Sequence, residues 1–293
     1  MVLVVGIVFP AMAPGQIFVA YQGAYNGDGG VAEYSLSGET INLQFIYGYA
    51  GCYGLTMDEN GSLWVGNIAG TGVWQYSTAG VLLGGLPFGA AVGPPGALAV
   101  NGVGNLFVAY GGGPVGQYTT SGAIVNNYLI SGFPPGCLAA AGNNLYVENG
   151  LNGNIAEYST AGSLVNASLI IGADGPLVCD GNGHLFVANG SGTIGEYTTS
   201  GATLNVSLIT GLSNIESLAL DGNGDLFVLS GNTIGEYTTS GETVNASLIT
   251  VTGLTGLGEI VAVPEPSPAV LVALGLGWLC LGGRRLRPFR RGD

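Results

Sequence analysis

A Glu-Tyr or Gln-Tyr pair recurs along the chain at Tyr34, Tyr76, Tyr118, Tyr158, Tyr197 and Tyr237, at steps of 42, 42, 40, 39 and 40 residues. A repeat of this length is one supersecondary unit, which must stack on its own copies to bury its apolar surface. The clearest copy, Glu216–Thr250, reads ESLALDGNGDLFVLSGNTIGEYTTSGETVNASLIT. Its runs Leu218–Leu220 and Leu226–Val228 flank Asp-Gly-Asn-Gly, a hairpin signal. A third run, Thr233–Tyr237, passes through a Thr-Ser-Gly turn into a fourth, Thr243–Ile249. Four short strands joined by tight turns make an antiparallel meander. Because the strands are apolar on both faces, each sheet needs a neighbour on either side. Six such units predict an all-β, six-bladed β-propeller.

The chain ends predict how the ring closes. The first unit begins at its second strand, Ile17–Ala20, with no first strand before it. The last unit is followed by a surplus strand, Glu259–Val263. Pairing of the two supplies what the first unit lacks and leaves no open edge. The propeller is expected to span Gln16–Val263 as one domain, long enough to bury about 70–75% of its surface. Fifty-five glycines suit its many tight turns. Ahead of it, Met1–Ala13 is an apolar run ending in small residues, so the first 15 residues read as a secretory signal peptide without its basic start.

The turns divide between two faces. Turns joining strands one to two and three to four are short and alike, as in Asp-Gly-Asn-Gly and Thr-Thr-Ser-Gly. The other face carries long, dissimilar connections, including Tyr21–Gly30, Ile46–Gly54, Gly84–Gly96 and Ser131–Gly136. Aromatic residues and prolines gather there. Tyr21, Tyr25, Tyr47, Tyr49, Phe88 and Phe133 are candidate binding residues, since an exposed ring beside polar groups grips a sugar by stacking. The competing reading is that these rings pack the loops onto the sheets.

Charge excludes one class of partner. Every basic residue is an arginine at or after Arg284, while the preceding body carries 17 of the 18 acids. Such a body repels phosphate backbones, which argues against nucleic acid. No cofactor is expected, although clustered acids leave room for a divalent cation such as calcium. Asp221-Gly-Asn-Gly-Asp225 begins like a calcium loop, but position twelve is Asn232 where a bidentate Glu is needed. His184 is the one histidine and stands where Asp225 stands in the next unit. Cys52, Cys137, Cys179 and Cys280 show no metal or disulfide spacing and read as small buried hydrophobes, Cys52 as partly exposed in a loop. No metal site is expected.

Beyond Val263 the β pattern ends. Pro264-Glu265-Pro266 leads to an apolar run, Ala269–Gly283, and then to Arg284, Arg285, Arg287, Arg290 and Arg291. Fifteen residues form a short transmembrane-like helix, below the roughly 20 that span a bilayer comfortably, with the arginines on the cytoplasmic side. This order resembles the PEP-CTERM sorting signal of Gram-negative bacteria, over about Val263–Arg291 within a terminal segment 264–293. The resemblance implies export, transient membrane contact through 269–283, an exosortase-type processing protease as partner, and a link to exopolysaccharide. The same module is sometimes labelled an ice-binding-protein C-terminal domain, a label that implies no ice binding here.

The body has a second resemblance. Leu218–Gly241 is similar to the NHL repeats of six-bladed propellers in its inner strand, Asp-x-x-Gly turn and following strands, but Thr233 stands where a basic residue is usual. NHL-like propellers include scaffolds and enzymes, so the resemblance leaves function open. The expected function is a non-catalytic surface or matrix protein that binds exopolysaccharide or surface partners. The alternative is a hydrolase or lyase of the lactonase or streptogramin-lyase kind, with a central metal and Asp28, Glu148, Asp174 and Glu216 as candidate acids.

Overall fold

The chain is described by a computed structural model over residues 15–23, 28–68, 72–87 and 93–264. The first blade begins with β1 (Gln16–Tyr21), β2 (Gly29–Ser35) and β3 (Thr40–Tyr49). The second holds β4 (Cys52–Met57), β5 (Ser62–Asn67), β6 (Gly72–Ser77) and β7 (Leu82–Pro87). The third holds β8 (Pro95–Val100), β9 (Asn105–Tyr110), β10 (Val115–Thr119) and β11 (Ile124–Ile130). The fourth holds β12 (Pro135–Ala141), β13 (Asn144–Asn149), β14 (Asn154–Ser159) and β15 (Leu164–Ile170). The fifth holds β16 (Leu177–Cys179), β17 (His184–Asn189), β18 (Thr193–Thr198) and β19 (Thr203–Ile209). The sixth holds β20 (Ile215–Leu220), β21 (Asp225–Ser230), β22 (Thr233–Thr238) and β23 (Thr243–Thr250). A last strand, β24 (Leu257–Val263), returns to the first blade.

Each blade is a four-stranded antiparallel meander, and the first is completed in the order β24-β1-β2-β3. Ile17 lies opposite Ala262 and Val19 opposite Ile260, so the closing strand pairs where the sequence predicts. The innermost strands touch in ring order, with β24 seated between β20 and β4. Six apolar clusters fill the ring, and each draws its side chains from neighbouring blades. That is the burial a lone meander cannot achieve. The apolar C-terminal run and the leader lie outside the described residues, and no described helix is long and apolar enough to cross a membrane.

Local chemistry explains why the units resemble one another. At the first turn, the Asp221 carboxylate accepts the N–H groups of Asn223 and Asp225, at 2.8 and 3.1 Å. Asp58 and Asp180 do the same in their own blades. The calcium-like Asp221–Asp225 stretch is therefore a turn whose first acid holds its own backbone. At the third turn a hydroxyl accepts the N–H four residues on, as Thr238 does from Glu242 at 3.0 Å. Gly241 then adopts φ +90°, and a Cβ there would lie 2.6 Å from the Leu208 carbonyl of the preceding blade. The glycine lets adjacent blades interlock.

The outer strands carry a further shared device. In β11, Tyr118 faces Ile124, Gln117 faces Asn126 and Val115 faces Ile130, so the outer strand gains residues at two places. The Asn126 side chain accepts the Tyr128 N–H inside this bulge. Asn42, Asn166, Asn205 and Asn245 repeat the bond in their blades. The Asn-x-Ser spellings at 166, 205 and 245 are thus explained by bulge geometry.

Candidate functional site

The inner strands define an axial cavity of about 500 Å³. Leu55, Leu98, Leu138, Leu177, Leu218 and Ile260 occupy one level, each opposite a valine of the neighbouring strand. One residue nearer the irregular face stand Gly54, Ala97, Cys137, Pro176, Ser217 and Glu259. One further stand Tyr53, Gly96, Gly136, Gly175, Glu216 and Gly258. The glycines there answer to crowding. A Cβ at Gly54 would sit 2.0 Å from the Gly96 carbonyl, and one at Gly258 would sit 2.4 Å from that of Tyr53. The channel mouth is consequently a narrow collar of backbone with four chemically distinctive side chains: Tyr53, Cys137, Glu216 and Glu259.

Glu259 organises this collar. Its carboxyl accepts the N–H of Leu55 at 2.6 Å and that of Leu98 at 3.3 Å. A side chain from the closing strand thereby ties the first blade to the second and third. Ser217 acts similarly one blade back, its hydroxyl accepting the Ile260 N–H at 3.0 Å. Burial pushes the Glu259 carboxyl up to about 8, against the two N–H bonds that favour its ionised form. Glu216 is raised by burial despite the amide of Asn214 at 2.7 Å. The Tyr53 hydroxyl is raised by burial and then by Cys137, Glu259 and Glu216, which places these groups around one space. Burial also raises the Cys137 thiol, with Glu259 and Glu148 adding to it, which disfavours the reactive thiolate.

The four acids singled out in the sequence do not meet at one point, although Asp174 lies close enough to Glu148 to raise its carboxyl. Glu148 sits on β13 beneath Gly136, where a Cβ would collide with its carboxyl. Burial raises its pKa, while the Cys137 N–H opposes the shift. Asp174 accepts the Gly190 N–H at 2.6 Å. Asp28 lies out on the first blade and accepts from the Tyr47 hydroxyl at 3.3 Å. Only Glu216 lines the channel. Among the described residues, no group of three or more His, Cys, Asp or Glu side chains is placed to hold a metal ion. Glu259, Tyr53 and Cys137 were absent from the sequence candidates. Aligning the inner strands on Leu55 and its equivalents would have marked Glu259 as the lone charge at its level.

The aromatic candidates separate in the same way. Tyr21 is 2% exposed, closes β1 and belongs to the core, so it offers a ligand no ring face. Tyr49 packs against the second cluster and bonds the Tyr76 hydroxyl. Phe133 packs against the fourth cluster and stacks on Tyr158 with centroids 6.4 Å apart. Tyr47 is half exposed at 50% and is the one of these four with a free ring face. Tyr25, Phe88, Glu265, Pro266, Arg284 and Arg285 lie outside the described residues, while Pro264 is the last described residue and is exposed. The reason for the inward turn is strand length. β3 runs to Tyr49 and β4 starts at Cys52, so much of Ile46–Gly54 is sheet and not loop. Cys52 is accordingly fully buried, not part-exposed, and its thiol is pushed up to about 12.

Comparison with known proteins agrees on architecture. No protein-family model matches the chain. No match was found among curated proteins. Solved structures do match. A chain of a nidogen/laminin complex has a TM-score of 0.68 at 13% identity, covering 86% of this chain and 100% of that one. TolB from Acinetobacter baumannii has a TM-score of 0.62 at 13% identity, covering 86% and 67%. A catalytically inactive, histidine-to-alanine form of virginiamycin B lyase from Staphylococcus aureus, solved with quinupristin, has a TM-score of 0.59 at 16% identity, covering 83% and 89%. At these identities the likeness is one of fold, and the relatives include binding proteins and enzymes alike.

Proposed function

We propose that the chain is a non-catalytic binding propeller of the surface or extracellular matrix of a Gram-negative bacterium. In this reading it holds exopolysaccharide or a surface partner on its irregular face. The Pro264-Glu265-Pro266 signal directs export, with transient membrane contact through 269–283 and processing by an exosortase-type protease.

The observation that carries the binding role is the use of the acids. Glu259 accepts from Leu55 and Leu98, Glu148 from Cys137, and Asp174 from Gly190, each stabilising the ring itself. A general base needs a carboxylate free to reach a substrate proton, and these groups are engaged with backbone. The lyase alternative has less support. Virginiamycin B lyase is inactive in its histidine-to-alanine form, whereas the single histidine here, His184, opens β17 at the turn after β16, away from the irregular face. There its Nδ1 is 3.0 Å from Glu196 and 3.6 Å from Asp180.

Ring stacking supplies the affinity in this proposal, at about 0.5–1.5 kcal/mol for each well-placed aromatic beyond its buried area. Replacing Tyr25 and Tyr47 together by Ala is therefore expected to weaken retention on the host's matrix polysaccharide roughly tenfold, by affinity electrophoresis. Ser200→Ala, on the regular face, is the matched control. Equal retention of both variants would refute polysaccharide binding here. Turnover of a lactone or streptogramin substrate that Glu216→Gln abolishes would establish the enzyme instead.

A further inference from the structure

The outer edges of the six blades are not equivalent. Five carry the double irregularity described for β11, and each has an Asn side chain folded onto the bulge. Bulges and local caps blunt an edge against further strand pairing. β7 keeps one register shift, at Leu83, but lacks the second shift and the Asn. Gly84 stands opposite Gln75, where Asn126 stands opposite Gln117, and no side chain is available to fold back. From Gly84 to Pro87 the register with β6 then runs without interruption. The Trp74 ring lies across Gly85, where a Cβ would come within 2.4 Å of it.

The same edge is apolar and uncharged. Val81, Leu82 and Leu83 are each more than half exposed. The next blade continues the surface with Ile124, Val125 and Tyr128. Between Glu59 and Glu148 the sequence contains no Asp, Glu, Lys or Arg. Apart from Asp58 and Glu59 on the β4–β5 turn, the second and third blades therefore carry no charge, in a molecule with formal net charge −13. Two of the other outer strands are preceded by exposed acids, Glu39 before β3 and Glu242 before β23.

We propose that β7 is a docking edge for a second copy of this chain, paired antiparallel to its own β7 about a two-fold axis. Identical strands are self-complementary in that arrangement, and strand addition satisfies backbone groups along an open edge. Charge selects the face. Contact through the outer strands of the second and third blades holds the acids of the first, fourth, fifth and sixth blades apart. Six residues are a small contact, and the flanking residues of β11 widen it towards the lower end of specific interfaces.

Sedimentation velocity of the full chain, across roughly 1–100 μM, tests this at the scale expected for a small interface. The wild type is expected to shift from monomer to dimer over that range. Leu83→Lys should remain monomeric. Leu204→Lys, at the equivalent position of the bulged β19, should dimerise as the wild type does. Amide exchange in β7 should slow as concentration rises, while exchange in β19 stays constant. Higher salt should strengthen the dimer, since it screens the distant acids. A monomer throughout, or equal effects of the two lysines, would overturn the proposal. So would protection of β7 by a neutral polysaccharide or another protein without self-association. Circular dichroism of both exposed-site variants confirms folding.

Discussion

The backbone N–H of Leu55 donates to the Glu259 carboxyl at 2.6 Å, across 204 positions of sequence. The closing strand thus does more than complete the first sheet. It sends a side chain over the channel mouth to the second and third blades, so ring closure and channel chemistry reside in one residue.

Removing that side chain is expected to loosen the ring. In Glu259→Ala the N–H groups of Leu55 and Leu98 lose this acceptor in a mostly buried collar. A buried donor left unsatisfied costs about 1–3 kcal/mol. Glu259→Gln retains a carbonyl oxygen of nearly the same shape and should stay close to wild type. Thermal unfolding of the three proteins measures the difference. Equal melting of the Ala and Gln variants would show that the hydrogen bonds contribute nothing.

Stability should fall as pH rises towards 8. Glu259 titrates at about 8 in the folded protein, against an ordinary 4.5, and burial raises Glu148, Glu157, Glu216 and Glu236 as well. The folded state therefore binds more protons than the unfolded chain between these values. Its advantage is complete below about 4.5 and is lost as pH climbs through the folded pKa. Melting temperatures measured from pH 4.5 to 8.5 should decline, and Glu259→Gln should flatten the upper part of the curve. A melting temperature that rises over this window would contradict the assignment.

The inner collar should tolerate no side chain at Gly54. Its Cβ would meet the Gly96 carbonyl at 2.0 Å, a backbone atom fixed in the next blade. Gly222 has φ +79° but open space around it, so Ala there meets only backbone strain, about 1–3 kcal/mol. Gly54→Ala is expected to destabilise more than Gly222→Ala, by chemical denaturation with an unchanged slope. The reverse order would mean that adjacent blades move apart readily.

The ring was legible in the chain because its information is local and repeated. Tyr34 to Tyr237 fix the period, and the surplus Glu259–Val263 names its own partner. The site was harder to read. The donors to Glu259 lie 204 and 161 residues away and are backbone groups, which carry no letter of their own. The aromatic candidates turned on strand ends. Tyr21 closes β1 and Tyr49 closes β3, and a boundary moved by two residues decides whether a ring is loop or core. The less bulged edge at β7 is visible in sequence as Gly84 where five other units have Asn, once the third strands are aligned.

Processing at the proposed sorting signal should leave the propeller whole. β24 ends at Val263, immediately before the Pro264-Glu265-Pro266 motif, so cleavage there spares every residue of the closing strand. In a host with an exosortase, mass spectrometry of the exported protein is expected to show a chain lacking Arg284 to Asp293, with the new terminus near Pro264–Pro266. A stop codon after Pro264 should reproduce the melting temperature of that mature form. A stop after Gly256 removes Leu257–Val263 and with it the innermost strand, its pairing to β1 and the Glu259 bonds. That shorter chain exposes an unpaired β1 edge and should aggregate. Recovery of an intact Arg291–Asp293 terminus at the cell surface would instead mark a permanent anchor. Equal solubility of the two truncations would show that the ring does not depend on this strand.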